Sequence, residues 1–167
     1  MRRLADMLIE RFRKWYEHEK SANQKMLNMI DSVPTERRSE PGFAKAVDMA
    51  AHLALCRENW LNRMDSDGTA VDHWFEENVD FETLPQRFAN IERFWTLYLH
   101  RLSDDDLSKP FEFKSTEGQD FAIETEIQLT QMVGHAFYHR GQIVQLVDSL
   151  GGDTVDTDYL FWAVHRN

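Results

Sequence analysis

Two histidines, His135 and His139, are four positions apart in the segment HAFYH. Residues four apart on a helix lie on the same face, so this spacing allows both imidazoles to bind one metal ion. Because the chain contains seven histidines in 167 residues, a pair of unrelated core or surface histidines explains the spacing equally well. Ala136 occupies the position of the glutamate base in the HExxH motif, so the pair does not predict a zincin protease.

His52 is the natural third ligand, because it lies between Ala51 and Leu53 in an apolar helical segment. A buried histidine needs partners for both ring nitrogens, and a metal on one nitrogen with a hydrogen-bond acceptor on the other meets that need. Three imidazoles leave one coordination position open for water or substrate, as in catalytic zinc sites. A cation stabilises the anion of a bound water or thiol, which predicts that such a site generates a nucleophile.

The other candidate residues support weaker hypotheses. Cys56 lies one turn beyond His52 and is either a fourth ligand, a redox-sensitive neighbour or a simple buried side chain. On the helix of the histidine pair, an inward-facing stripe is predicted to contain Ile127, His135, His139, Gln142 and Leu146. The remaining histidines are predicted to have ordinary surface roles; they are His18, His73, His100 and His165.

Apolar residues at spacings of three and four predict four main helices that position these side chains. The helices are predicted to run from Leu4 to Ile30, from Ser39 to Arg63, from Thr83 to Leu102, and from Thr125 to a stop at Gly151-Gly152. Capping boxes are predicted where the third and fourth of these helices begin, at Thr83 and Thr125.

The segments between the main helices carry turn signals and a strand pattern. A long connection is predicted from Met64 to Glu82, with a turn-forming DSDG segment at 65–68. Alternating polarity in 111–113 and 121–123, about the TEG turn at 116–118, predicts a short hairpin. Thr157-Asp158 is predicted to cap a short final helix from Tyr159 to Arg166.

Composition sets the class of protein. Hydrophobic residues make up 42% of the chain and charged residues 29%, with seven glycines and four prolines, which predicts one soluble all-α domain over residues 1–167. A net charge of −10 disfavours nucleic-acid binding. No apolar run reaches the roughly 20 residues needed to cross a bilayer, so no membrane partner is expected. The amphipathic start and a single cysteine predict a cytoplasmic location.

The sequence resembles the DinB-like superfamily, whose metal-binding bundles include the bacillithiol S-transferases and the mycothiol-dependent maleylpyruvate isomerase domain. The resemblance rests on segment 16–27 with Asn23, on AHL at 51–53 followed by ENWL at 58–61, and on HAFYHRGQI at 135–143. The double glycine at 151–152 and TDYLFW at 157–162 also resemble the end of the family pattern. The resemblance therefore covers nearly the whole chain.

The resemblance implies a four-helix bundle in which His52, His135 and His139 bind one divalent ion, zinc or nickel by preference and manganese or iron otherwise. It also implies a homodimer and a thiol S-transferase-like enzyme that uses a low-molecular-weight thiol and a small-molecule substrate. The alternatives are a metal-dependent hydrolase and a non-catalytic metal-binding stress-response or interaction protein. Candidate contacts around the metal or substrate are Tyr16, Asn23, Cys56, Tyr138 and Gln142. Cys56 is not a functional residue of the family pattern.

Overall fold

Four long helices dominate the fold in a computed structural model that describes residues 7–65 and 73–165. In chain order the elements are α1 (Met7–Asp31), α2 (Pro41–Asp65), α3 (Leu84–Arg101), α4 (Asp104–Leu107), β1 (Pro110–Lys114), β2 (Asp120–Glu124), α5 (Thr125–Ser149) and α6 (Tyr159–Val164). The long helices α1, α2, α3 and α5 pack against one another, with α2 and α5 in the most extensive contact. The predicted all-α bundle with a small hairpin is confirmed.

The helix ends follow from proline and glycine. Pro41 is the first residue of α2, where its missing N–H costs no helical hydrogen bond. Gly151 has φ +74° just after the end of α5, a conformation that side chains disfavour. At Gly152 a Cβ atom would lie 2.6 Å from a methyl group of Val147, so the chain turns back close to the helix that it leaves. The predicted stop at the double glycine is confirmed.

The predicted capping boxes at Thr83 and Thr125 are wrong. Thr83 ends a 3-10 turn (Phe81–Thr83) that runs directly into α3, so its backbone is already helical and its hydroxyl donates to the carbonyl of Asp80 at 2.7 Å. Thr125 follows β2 directly, and its hydroxyl donates to the carbonyl of Lys109 at 3.1 Å. In both cases a backbone carbonyl outside the helix accepts a hydrogen bond from the hydroxyl that was expected to cap the helix terminus.

The predicted hairpin is confirmed as the antiparallel pair β1 and β2. Phe111 lies opposite Ile123 and Phe113 lies opposite Phe121. Gly118, with φ +81°, allows the tight turn between the strands. The final helix begins after Asp158 as predicted, but no side chain caps it. Three parts of the predictions lie outside the described residues: the start of the first helix at Leu4, the 66–68 part of the turn and residue 166.

The core is formed by the inward faces of the long helices. Met26, Ile30, Ala50, Trp95 and Ile143 are fully buried there. Among the residues that the structure describes, no helix is both long enough and apolar enough to span a bilayer.

The surface role predicted for His18 is wrong, because its side chain is only 2% exposed. Its ring stacks on Phe137 with centroids 5.4 Å apart, and the edges of Tyr159 and Trp162 complete the enclosure. The Nε2–H of His18 donates to the carbonyl of Thr157 at 2.8 Å. The charged neighbours of His18 in the sequence point to other faces of α1, whereas α5 and α6 cover the imidazole. His73, His100 and His165 are exposed, as predicted.

We expect His18 to make the protein less stable in acid. Burial lowers the pKa of His18, an effect that the Thr157 carbonyl partly opposes. The unfolded chain therefore binds this proton more strongly, so the stability that neutral His18 contributes is present above about pH 6.5 and is lost as pH falls through that value. His18→Phe should flatten the decline of the free energy of unfolding between about pH 7 and pH 5, measured by urea denaturation.

The exposed His100 provides the control for this prediction, because His100→Phe removes an imidazole that lies at the surface. The pH dependence of its free energy of unfolding should match that of the wild type. If His18→Phe and His100→Phe gave the same slope as the wild type, burial of the His18 imidazole would not be the source of the acid sensitivity.

Candidate metal centre

The packing of α2 on α5 brings His52, His135 and His139 together. Their candidate donor atoms all lie within 4.8 Å of one another. The Nε2 atoms of His52 and His135 are 3.2 Å apart. Two imidazole nitrogens bound tetrahedrally to zinc at 2.0–2.1 Å would be about 3.3 Å apart, so this spacing fits a shared divalent ion. The structure thus forms a three-histidine cluster that could hold a metal ion.

His52 is oriented by the segment that follows α2. Its Nδ1–H donates to the backbone carbonyl of Trp74 at 2.6 Å. The ring of Phe75 stacks on the imidazole, with centroids 4.4 Å apart and planes only 4° from parallel. Because Nδ1 carries the proton, the lone pair is on Nε2, the atom that faces His135. The hydrogen bond to Trp74 therefore selects the tautomer that metal binding requires.

His139 is oriented by its own helix. Its Nδ1–H donates to Oε1 of Gln142 at 2.8 Å, one turn further along α5. The Gln142 amide nitrogen donates to the Tyr138 hydroxyl at 3.2 Å, which fixes the orientation of the amide. The edge of the Tyr138 ring also packs against His139, with centroids 5.0 Å apart. These contacts leave Nε2 of His139 unprotonated and available to a metal.

Arg63 holds the Trp74 segment in place. Its guanidinium lies 4.8 Å from the ring centroid of Trp60, 4.9 Å from that of Trp74 and 4.7 Å from that of Phe113. One of its nitrogens donates to the carbonyl of Lys114 at 2.9 Å. Cation–π contacts of this kind are worth more when they are desolvated, and Arg63 is only 3% exposed. Arg63 therefore joins the end of α2 to the hairpin and to Trp74, the residue that orients His52.

The imidazoles of α5 are neutral at physiological pH. Burial, together with the neighbouring His139 and His52, lowers the pKa of His135 to about 4. Burial also lowers the pKa of His139, although the Gln142 hydrogen bond partly opposes this. Neutral imidazole is the form that binds metal, so little free energy is needed to deprotonate the ligands.

Cys56 lies beside the cluster. Its Sγ is 3.6 Å from Nε2 of His52 and 4.0 Å from Nε2 of His135. Burial raises the pKa of this thiol to about 12, so it is protonated when no metal is bound. Cys56 is thus a neighbour of the cluster, and its role as a ligand or pocket residue stays a prediction.

In the described part of the chain, an outer cleft and an inner cavity adjoin the cluster and have no lining residue in common. The outer cleft has a volume of about 460 Å³; its walls include His52, His139, Phe75, Lys45 and Glu77. The inner cavity has a volume of about 100 Å³; its walls include His135, Cys56, Arg57, Gln128, Gln131 and Met132. His52 and His139 are therefore reached from the outer cleft, and His135 is reached from the inner cavity.

Two predicted contact residues lie elsewhere. The Tyr16 hydroxyl donates to the carbonyl of Ile91 at 3.4 Å, and Asn23 accepts from Arg140 at 3.2 Å. In the described part of the chain, neither residue lines the outer cleft or the inner cavity. The predicted stripe on α5 is also interrupted, since Ile127 is 56% exposed. Trp74 was not predicted as a partner of His52, because it acts through its backbone carbonyl and its side-chain type carries no signal.

Comparison with known proteins gives concordant results. The model of the DinB family matches residues 4–165. Protein DinB of Bacillus subtilis (strain 168) is 23% identical over 156 residues, covering 87% of this chain and 90% of that protein. The crystal structure of a DinB-like protein from Bacillus cereus ATCC 10987 matches with a TM-score of 0.68 and 18% identity. That match covers 92% of this chain and 99% of the other, and at this identity it supports the fold alone.

Proposed function

Because the chain belongs to the DinB family, we propose that it is a metal-dependent enzyme that activates a thiol for attack on a small electrophile. The observation that carries this proposal is the three-histidine cluster, in which His52 and His139 hold their Nδ1 protons against fixed acceptors. A divalent ion held there would act as a Lewis acid that lowers the pKa of a coordinated thiol or water. Imidazole donors suit zinc, nickel and iron, and the proposed ion is zinc or nickel, with manganese or iron as the alternatives.

Residues of this chain would hold the metal-binding imidazoles in position. Trp74 and Gln142 hold two imidazoles at fixed angles, so the ligands need not reorganise during turnover. Phe75 covers one face of His52 and limits access of bulk water from that side. The outer cleft, at about 460 Å³, has the size of ordinary small-molecule sites rather than that of a water pocket. Its size favours a thiol of moderate size over water as the activated group.

A comparison of thiols with metal-loaded protein tests this function. Consumption of a chromogenic electrophile such as 1-chloro-2,4-dinitrobenzene would be followed with bacillithiol, mycothiol, glutathione or cysteine, and without a thiol. A free thiol of pKa about 8.5 is only about 3% thiolate at pH 7, so deprotonation alone can raise the rate of the bound thiol by at most roughly thirtyfold, because a thiolate of lower pKa is a weaker nucleophile. Metal-stripped protein is the matched control and should show no acceleration.

Two other outcomes would replace the proposal. Metal-dependent turnover of an activated ester that needs no thiol would identify a hydrolase. A four-ligand site closed by the Cys56 thiolate, seen as a sulfur ligand by X-ray absorption spectroscopy and accompanied by no turnover, would identify a non-catalytic metal-binding protein.

A further inference from the structure

The inner cavity contains hydrogen-bond donors that the protein does not use. Gln128 is only 4% exposed, and its amide nitrogen has no acceptor in the part of the chain that the structure describes. A buried amide without an acceptor costs about 1–3 kcal/mol, so an enclosed donor beside a cavity indicates a ligand that the cavity receives. Gln128 lines the same cavity as the metal-ligand candidate His135.

Arg57 adds a cationic donor to the same wall. Its Nε and Nη2 donate to the two carboxylate oxygens of Glu19. Among the described residues, the partner of its Nη1 is a thioether, Sδ of Met132 at 3.4 Å. Because thioether sulfur is a weak acceptor, the Nη1 group of Arg57 can still donate a stronger hydrogen bond to a ligand. The cavity therefore offers amide and guanidinium N–H groups, and a complementary ligand must bring oxygen acceptors.

The size and charge of the inner cavity further restrict which ligands it can bind. At about 100 Å³ the inner cavity has room for roughly three waters at about 30 Å³ each, or for a group of three or four heavy atoms. A carboxylate with its attached carbon has this size. It presents two acceptor oxygens, and charge-assisted hydrogen bonds to amide and guanidinium donors are stronger than neutral ones. A cationic group would lie beside the guanidinium of Arg57 and would offer no acceptor to the Gln128 amide nitrogen.

We propose that the inner cavity binds the carboxylate of the substrate, with the Gln128 amide as its recognition donor and Arg57 as the cationic wall. This inference rests on the proposed function, since the substrate would place its carboxylate in the inner cavity and its reacting carbon at the histidine cluster. The preferred electrophiles are therefore small carboxylic acids. Gln128 becomes a specificity-determining residue that touches substrate.

Acetate titrated into the full-length protein tests the site directly. Binding would be followed by the change in tryptophan fluorescence, because Trp60 lines the inner cavity, and by isothermal titration calorimetry. Metal-stripped protein excludes direct binding of acetate to the ion. We expect acetate to bind and methylammonium not to bind. Gln128→Met, which keeps the side-chain length and removes both N–H donors, should weaken acetate binding about tenfold or more.

Gln145 on the same helix is exposed, so Gln145→Met is the matched control and should bind acetate as the wild type does. Circular dichroism and metal content should be unchanged in both variants. No saturable acetate binding, or equal binding by the wild type and Gln128→Met, would overturn the inference. If acetate binding fails while thiol-dependent turnover persists, only the carboxylate site is wrong. If acetate binds but no metal is retained, the proposed function fails instead.

Discussion

Replacement of His135 by alanine should reduce the metal content from close to one ion per chain to a small fraction of that. Loss of a hydrogen-bond partner of a ligating histidine already costs about 10–100-fold in metal affinity, and loss of the ligand itself should cost more. In His135→Ala the remaining nitrogens of His52 and His139 form only a two-ligand site. The double variant His135→Ala/His139→Ala should retain no stoichiometric metal. Inductively coupled plasma mass spectrometry of dialysed protein measures both values.

His100→Ala provides the control for this prediction, because it removes an exposed imidazole at the end of α3. It should leave the metal content unchanged, which separates the cluster from adventitious surface binding. The thermal denaturation curve of each metal-free variant shows whether the fold is retained. Equal metal stoichiometry in the wild type and the double variant would remove the histidine cluster from the proposed function.

The long helices could be predicted from the sequence because their signals are local. The spacing of apolar residues and the positions of Pro41 and Gly151 depend only on neighbours along the chain, and the observed bounds of α2 and α5 follow them. Side-chain hydrogen bonds at the helix termini could not be predicted this way. Thr83 and Thr125 have the right residue type, but the Thr83 hydroxyl donates within the 3-10 turn that precedes α3, to Asp80, and the Thr125 hydroxyl donates to Lys109, which the hairpin brings near.

The sequence could predict only those residues of the candidate site whose side-chain type itself indicates metal binding. Histidine spacing and family resemblance identified the cluster, because imidazole is a metal ligand wherever it is placed. The acceptor on His52 is a backbone carbonyl, and any residue type could have supplied it. His18 lies in a charged stretch of the sequence, yet α5 and α6 bury it. The Gln128 amide nitrogen is an unpartnered donor only in the folded protein, where it lies beside the inner cavity.

Glu19→Ala should be the most destabilising single substitution outside the apolar core. The Glu19 carboxylate receives two hydrogen bonds from Arg57, and both residues are more than nine-tenths buried. The guanidinium is also enclosed by the rings of Tyr16 and Trp95, at 5.4 and 5.0 Å from their centroids. Removal of the carboxylate leaves a buried cation without a partner, which costs about 3–5 kcal/mol. Urea denaturation at pH 7 would measure the loss in free energy of unfolding.

Glu17 on the same helix is the matched control, because its ion pair with Lys20, at 2.6 Å, is partly exposed to solvent. Glu17→Ala should cost no more than about 0.5 kcal/mol. The double variant Glu19→Leu/Arg57→Met removes both charges while keeping similar volume, and it should recover most of the stability lost in Glu19→Ala. A double variant as unstable as Glu19→Ala would show that packing, rather than the unpaired charge, causes the loss. The double variant could also recover stability and still fail to bind acetate. That result would mean that the Glu19–Arg57 ion pair serves ligand binding in the inner cavity rather than folding.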